Sequence, residues 1–96
     1  MLILITYDVS TSSENGAKRL RKVAKVCQNY GQRVQHSVFE CIVDAAQYES
    51  LKFSLTNIID VSRDSIRFYR LGNNYESKVE HIGAKESINI EDPLIF

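Results

Sequence analysis

The run LILITYD at residues 2–8 limits the possible folds of this chain more than any other stretch. Apolar side chains at both odd and even positions do not suit a strand with one wet face; they suit a strand covered on both, central in a sheet. A charge closes the run. Taking an ionised carboxylate out of water costs several kcal/mol unless a cation, a metal or converging donors compensate it, so Asp8 needs an explanation. Two are open from the residues alone: an Asx-type turn, in which Asp8 accepts hydrogen bonds from the loop that follows, or a site that holds a cation.

A chain of 96 residues buries about 60–70% of its unfolded surface, enough for one two-layer core. The expectation is a single domain over 1–96. With 44% hydrophobic and 25% charged residues and one proline, Pro93, the composition is that of an ordinary globular protein. The N-terminal apolar run is short and follows no basic region, so neither a signal peptide nor a membrane span is expected and the cytoplasm is the default location. Cys27 and Cys41 lie outside any C-x-x-C spacing and on faces that otherwise read apolar, as reduced core thiols do.

The zero net charge conceals a polarity along the chain. Residues 14–36 carry Lys18, Arg19, Arg21, Lys22, Lys25 and Arg33 against Glu14 alone, whereas 86–96 carry Glu86, Glu91 and Asp92 without a cation. A basic face of this kind is either a solvated surface or a local contact for a polyanion.

Residues 1–7 form the first strand. Ser12 or Ser13 can cap the helix that follows. Ala17, Leu20, Val23, Ala24, Cys27 and Tyr30 make its apolar stripe, opposite Lys18, Arg21, Lys22 and Lys25, and Gly31 is expected to stop it. RVQHSVFECIVD, 33–44, alternates, with Val34, Val38 and Ile42 on one face and Phe39, Cys41 and Val43 on the other. It is long for one strand, and only His36-Ser37 offers a bend. Asp44 with Gln47 reads as the capping box of a second helix whose stripe is Tyr48, Leu51, Leu55, Ile58 and Ile59 and whose end falls near Asp60. SIRFYRL, 65–71, is another alternating strand and GNNY a turn; 79–83 and 88–90 are weaker strand candidates.

This order predicts an α+β, ferredoxin-like βαββαβ sandwich, an antiparallel sheet with two helices on one face. The other face would carry large apolar side chains, which makes it an interface. A second copy of the chain is its expected cover, with PLIF at 93–96 packing on the partner. A two-fold axis near position 8 would bring two Asp8 carboxylates together, and they would need a cation between them or one would take up a proton. Mg²⁺ suits such a site because it uses one or two protein carboxylates and fills its shell with water and phosphate oxygens. His36 can serve as a general base or as an ordinary bend residue. No Walker, Gly-rich or Ser-His-Asp signature is present, and the central strand lacks the stacking aromatics of a sequence-specific single-strand reader.

ITYDVS, the basic helix KRLRKVAKVCQNYG and, above all, RVQHSVFEC together resemble the Cas-two family of CRISPR-associated adaptation proteins, and RFYRLG and VEHIGAK extend the resemblance over nearly the whole chain. The resemblance implies a homodimer whose C-terminal strand crosses to the partner's sheet, with 84–96 as the extension that packs there. It also implies Mg²⁺-dependent endonuclease activity on duplex DNA or single-stranded RNA, with Mn²⁺ as a substitute and Asp8 as metal ligand and catalytic residue. Tyr7, Arg19, Arg33 and Phe39 match positions that support that site or bind nucleic acid, although Arg21 or Lys22 can align in place of Arg19. A non-catalytic role is implied as well: a dimeric bridge between the CRISPR integrase subunit and prespacer DNA during spacer acquisition.

Overall fold

The computed structural model describes residues 1–83. Its elements are β1 (Leu2–Asp8), α1 (Glu14–Gln28), β2 (Gly31–Gln35), β3 (Val38–Ile42), α2 (Ala45–Ile58) and β4 (Ser65–Gly72), followed by a 3-10 turn at Glu76–Lys78. The four strands form one sheet in the order β2-β3-β1-β4, every neighbour antiparallel. This is the expected βαββαβ arrangement with β1 central.

Alternation along β1 divides the molecule. Ile3, Ile5 and Tyr7 point into the core, where they meet Phe39 and Cys41 of β3, Leu20, Val23, Ala24 and Cys27 of α1, and Tyr48, Leu51 and Leu55 of α2. Both helices therefore cover one face. Leu4, Thr6 and Asp8 turn to the other face, as the two-residue period of a strand requires.

Local chemistry explains the helix boundaries. Ser13 caps α1, its hydroxyl accepting from the Gly16 amide at 3.1 Å, and Asp44 and Gln47 form the reciprocal capping box of α2 at 2.7 and 2.9 Å, each satisfying amides that the first turn leaves without partners. Gly31, however, does not end α1. The helix closes at Gln28 with Asn29 as its C-cap, and Gly31 opens β2, where a Cβ would lie 1.9 Å from the Glu40 carbonyl oxygen. Its glycine serves a close approach between strands.

Residues 33–44 are a hairpin rather than one long strand. The turn at His36-Ser37 lacks the usual Asn-Gly chemistry; instead Arg33 Nε donates to the His36 carbonyl at 2.7 Å, and a register shift between Arg33 and Gln35 absorbs the bend. Residues 79–83 form no strand, because the chain leaves the sheet through Gly72 at positive φ and enters the 3-10 turn. The expected strand at 88–90 and the partner-packing extension at 84–96 lie outside the described residues. Cys27 and Cys41 are free, buried thiols; Cys41 Sγ donates to the Cys27 carbonyl at 3.5 Å. Their mutual contact and burial push the Cys27 thiol well above its ordinary range.

The uncovered face departs from the expected apolar surface. Leu4, Val38 and Ile42 are half-buried there, but β4 contributes Arg67 and Tyr69, since alternation sends Ile66 and Phe68 toward the helices. The face is mixed in character.

Candidate metal and nucleic-acid site

Asp8 is the last residue of β1, exposed, on the helix-free face. Among the described residues its carboxylate pairs with no cation and accepts no side-chain or backbone donor; the Asx-turn reading has no bond to support it. It lines an open cavity of ≈ 420 Å³ together with Thr6, Tyr7, Ser37, Ser65, Arg67 and Tyr69. Cross-strand pairing builds this setting. Asp8 faces Ser65, Thr6 faces Arg67 and Leu4 faces Tyr69, while Thr6 also faces Val38 at the start of β3.

A second carboxylate, at position 64, lies just behind this corner of the sheet. The Asp64 side chain is 1% exposed. Arg19 Nε donates to Oδ2 at 2.7 Å and Nη2 to Oδ1 at 3.0 Å; the Tyr7 hydroxyl and the Asp60 amide also donate to Oδ2. The guanidinium, with the phenol and amide, holds the Asp64 carboxyl down at about 2, and Arg19 is held above its own ordinary value mainly by Asp64. Burial, followed by the neighbouring carboxylate, pushes Tyr7 up to about 12. Asp60 is lowered chiefly by the Ser62 hydroxyl. The buried charge that demands compensation is therefore Asp64, not Asp8.

The residues that the resemblance pointed to fall into three groups. Tyr7 and Arg19 meet at Asp64 on the helix side. Arg33 lies 5.6 Å over the buried ring of Phe39, also on the helix side and at the β2 edge. Asp8 stands alone on the opposite face, in company with Arg67 and Tyr69. His36 sits exposed in the hairpin turn, next to Ser37 of the cavity. Lys18, Arg21, Lys22 and Lys25 are all exposed on α1.

Sequence reasoning missed Asp64, Arg67 and Tyr69. Arg19 held a clue to the first, because it falls within the buried stripe of Gly16, Leu20, Val23 and Cys27 and a cation in such a stripe needs a partner. Alternation in SIRFYRL held a clue to the other two, but only the β1–β4 register sets them beside Asp8.

No group of three or more His, Cys, Asp or Glu side chains able to hold a metal occurs among the described residues. Asp8 nonetheless fits Mg²⁺ as one exposed carboxylate in an open, hydroxyl-lined cavity, where water and phosphate oxygens have room to complete the shell. No helix among the described residues is long and apolar enough to cross a membrane.

Comparison with known proteins joins this geometry to a family. The family described as CRISPR associated protein Cas2 matches residues 1–79. The chain is 74% identical to the CRISPR-associated endonuclease Cas2 of Halalkalibacterium halodurans over 100% of both chains. It is 57% identical to the CRISPR-associated endoribonuclease Cas2 of Chlorobaculum tepidum, again over 100% of both. Among solved structures, Streptococcus pyogenes Cas2 at pH 6.5 superposes with a TM-score of 0.80 at 57% identity, covering 86% of this chain and 100% of that one.

Proposed function

The chain belongs to the CRISPR associated protein Cas2 family, and from that premise we propose that it is a Mg²⁺-dependent endonuclease acting on duplex DNA, single-stranded RNA or both in spacer acquisition. The observation that carries this reading is Asp8: an exposed carboxylate with no partner among the described residues, facing a polar cavity. In a homodimer whose axis passes near the helix-free face, the two copies of Asp8 supply the carboxylates for one ion. Leu4, Val38 and Ile42 offer apolar area for that contact. When bound, Mg²⁺ supplies a Lewis acid for the scissile phosphate and lowers the pKa of an attacking water.

The chain's own residues divide the remaining work. Asp8 is an acceptor-only ligand. Tyr7 and Arg19, joined at Asp64, hold the end of β1 from behind and so fix where Asp8 stands. Arg33, seated over Phe39, secures the β2–β3 hairpin that carries Ser37 to the cavity. Lys18, Arg21, Lys22 and Lys25 hold phosphates along the backbone, a contact that carries no base information, so cleavage is largely independent of sequence.

Asp8→Asn tests the reading, since it keeps the shape and removes the charge. With Mg²⁺, cleavage of duplex DNA and single-stranded RNA is expected to fall by about 10²–10³-fold, the scale of losing one electrostatic group at a reacting centre. Cleavage of both at the native rate would sink it. Two substrates are needed because one relative is named an endonuclease and another an endoribonuclease.

The exposed basic face of α1 favours a second reading, a dimeric adaptor that bridges the CRISPR integrase subunit and prespacer DNA without cutting. It predicts that Asp8→Asn still acquires spacers, while Arg21→Glu combined with Lys22→Glu does not. Normal acquisition by the double variant would count against it. Arg19 is unsuitable for this test because reversing it breaks the pair with Asp64.

A further inference from the structure

The cavity beside Asp8 also holds a cation that the proposed mechanism leaves without a task. Arg67 lies diagonally across from Asp8 on the same face, two residues along the β1–β4 ladder, a separation of about 7–8 Å between such positions. The two side chains form no ion pair; both line the cavity instead. Several other cations near the sheet are engaged: Arg19 with Asp64, Arg63 with Asp60, Arg33 with the Phe39 ring and the His36 carbonyl, Lys78 with the Leu71 carbonyl; Arg70 of β4 has no carboxylate partner among the described residues either, but it does not line the cavity. Arg67 has no carboxylate partner among the described residues. Its one side-chain hydrogen bond among the described residues goes to a neutral acceptor, the Tyr69 hydroxyl, to which Nη1 donates at 3.2 Å.

We propose that Arg67, oriented by Tyr69, takes the non-bridging oxygens of a phosphodiester seated in the cavity beside Asp8. The proposal rests on the nuclease reading for the statement that this phosphodiester is the one cut. A guanidinium presents five N–H donors in a planar fork that matches two phosphate oxygens at once. The Tyr69 hydroxyl occupies one of them and fixes the plane, leaving the remainder for the ligand. Asp8 by itself would repel a phosphate. A cation on the same face, held apart from Asp8 rather than neutralised by it, lets one cavity receive both a metal and an anion. Arg67 is thus the substrate-binding group and Tyr69 a positioning residue.

The test measures binding and cleavage separately, on the full chain. In EDTA, with a labelled duplex and increasing salt, Arg67→Ala is expected to weaken binding about tenfold and to reduce the slope of log K against log[salt] by about 0.9, the loss of one phosphate contact. Arg67→Lys should recover the slope but not the cleavage rate, because a point charge replaces the fork without its geometry. Tyr69→Phe should keep the slope and KM and lower kcat several-fold, a split that a purely structural loss would not produce. Native affinity and slope in Arg67→Ala would overturn the proposal. So would a reduced slope with native kcat, which would put Arg67 on a phosphate other than the scissile one. Asp8→Asn reports on the nuclease reading alone: if that variant cuts normally the reading falls, and the slope of Arg67→Ala still decides whether the cavity holds a phosphate.

Discussion

Asp8 and Asp64 lie at the same corner of the sheet, since Asp8 pairs with Ser65, yet they face opposite sides and live in opposite conditions. The Asp64 side chain is 1% exposed and receives Arg19, Tyr7 and the Asp60 amide. Asp8 is exposed and receives nothing among the described residues. A carboxylate whose acceptor sites are filled by its own chain holds elements together; one whose sites are free can bind something from outside. The contrast separates a carboxylate engaged by its own chain from one left open to solvent, using burial and partners alone.

The strongest way to break the contrast is to neutralise each carboxylate in turn. Asp8→Asn should lose the 10²–10³-fold in cleavage given above while its urea midpoint stays at or slightly above the native value, because no native contact is removed. Asp64→Asn should do the reverse. Losing the carboxylate that Arg19, the Tyr7 hydroxyl and the Asp60 amide share is expected to destabilise the fold by about 1–3 kcal/mol, the scale for removing an acceptor from part-buried donors, read from urea unfolding. The activity of the fraction that remains folded should fall far less than in Asp8→Asn. If Asp64→Asn kept full stability, the division of labour would be wrong.

A gentler probe is pH. The Asp64 carboxyl sits at about 2 in the folded chain, below the ordinary value of about 3.9, so its contribution is fully present above about pH 4 and is lost as pH falls toward 2. Tyr7 has the opposite sign: raised to about 12, its neutral form contributes below about pH 10, and that contribution is lost as pH rises from there to 12. Thermal unfolding across pH should show both limbs in the native chain. Asp64→Asn should lose the acid limb, and Tyr7→Phe the alkaline one.

The central strand, both helix caps and the antiparallel order were legible because each is encoded locally: an apolar run, a serine before a helix, an Asp44–Gln47 pair three residues apart. The Arg19–Asp64 pair was not, since its partners are 45 residues apart and no local pattern relates them. The hairpin at His36-Ser37 was legible only as the one place where residues 33–44 could bend. Its turn is closed by a side chain, Arg33, instead of by glycine or asparagine, and Gly31, which looked like a helix stop, serves strand packing. Asp8 was legible as a position that needed explaining, but its reason was inverted: a hydrophobic run implied burial, whereas period two brings the carboxylate out to the free face. The resemblance supplied Arg19 and Phe39 as site residues, yet only the fold shows that neither side chain reaches the face that Asp8 occupies.

Tyr7 and Asp8 are consecutive, and this makes strand alignment part of the chemistry. A slip of β1 by one residue would exchange them, driving a carboxylate toward the aliphatic interior and a phenol into water, because side chains alternate along a regularly paired strand. The one irregularity between β1 and β4 falls at Leu2/Ile3, at the far end from Asp8. The irregularity therefore leaves the Asp8 end of the strand in register, and the last peptide unit acts as a checkpoint: only the in-register sheet hides the phenol, seats Asp64 and presents Asp8 together.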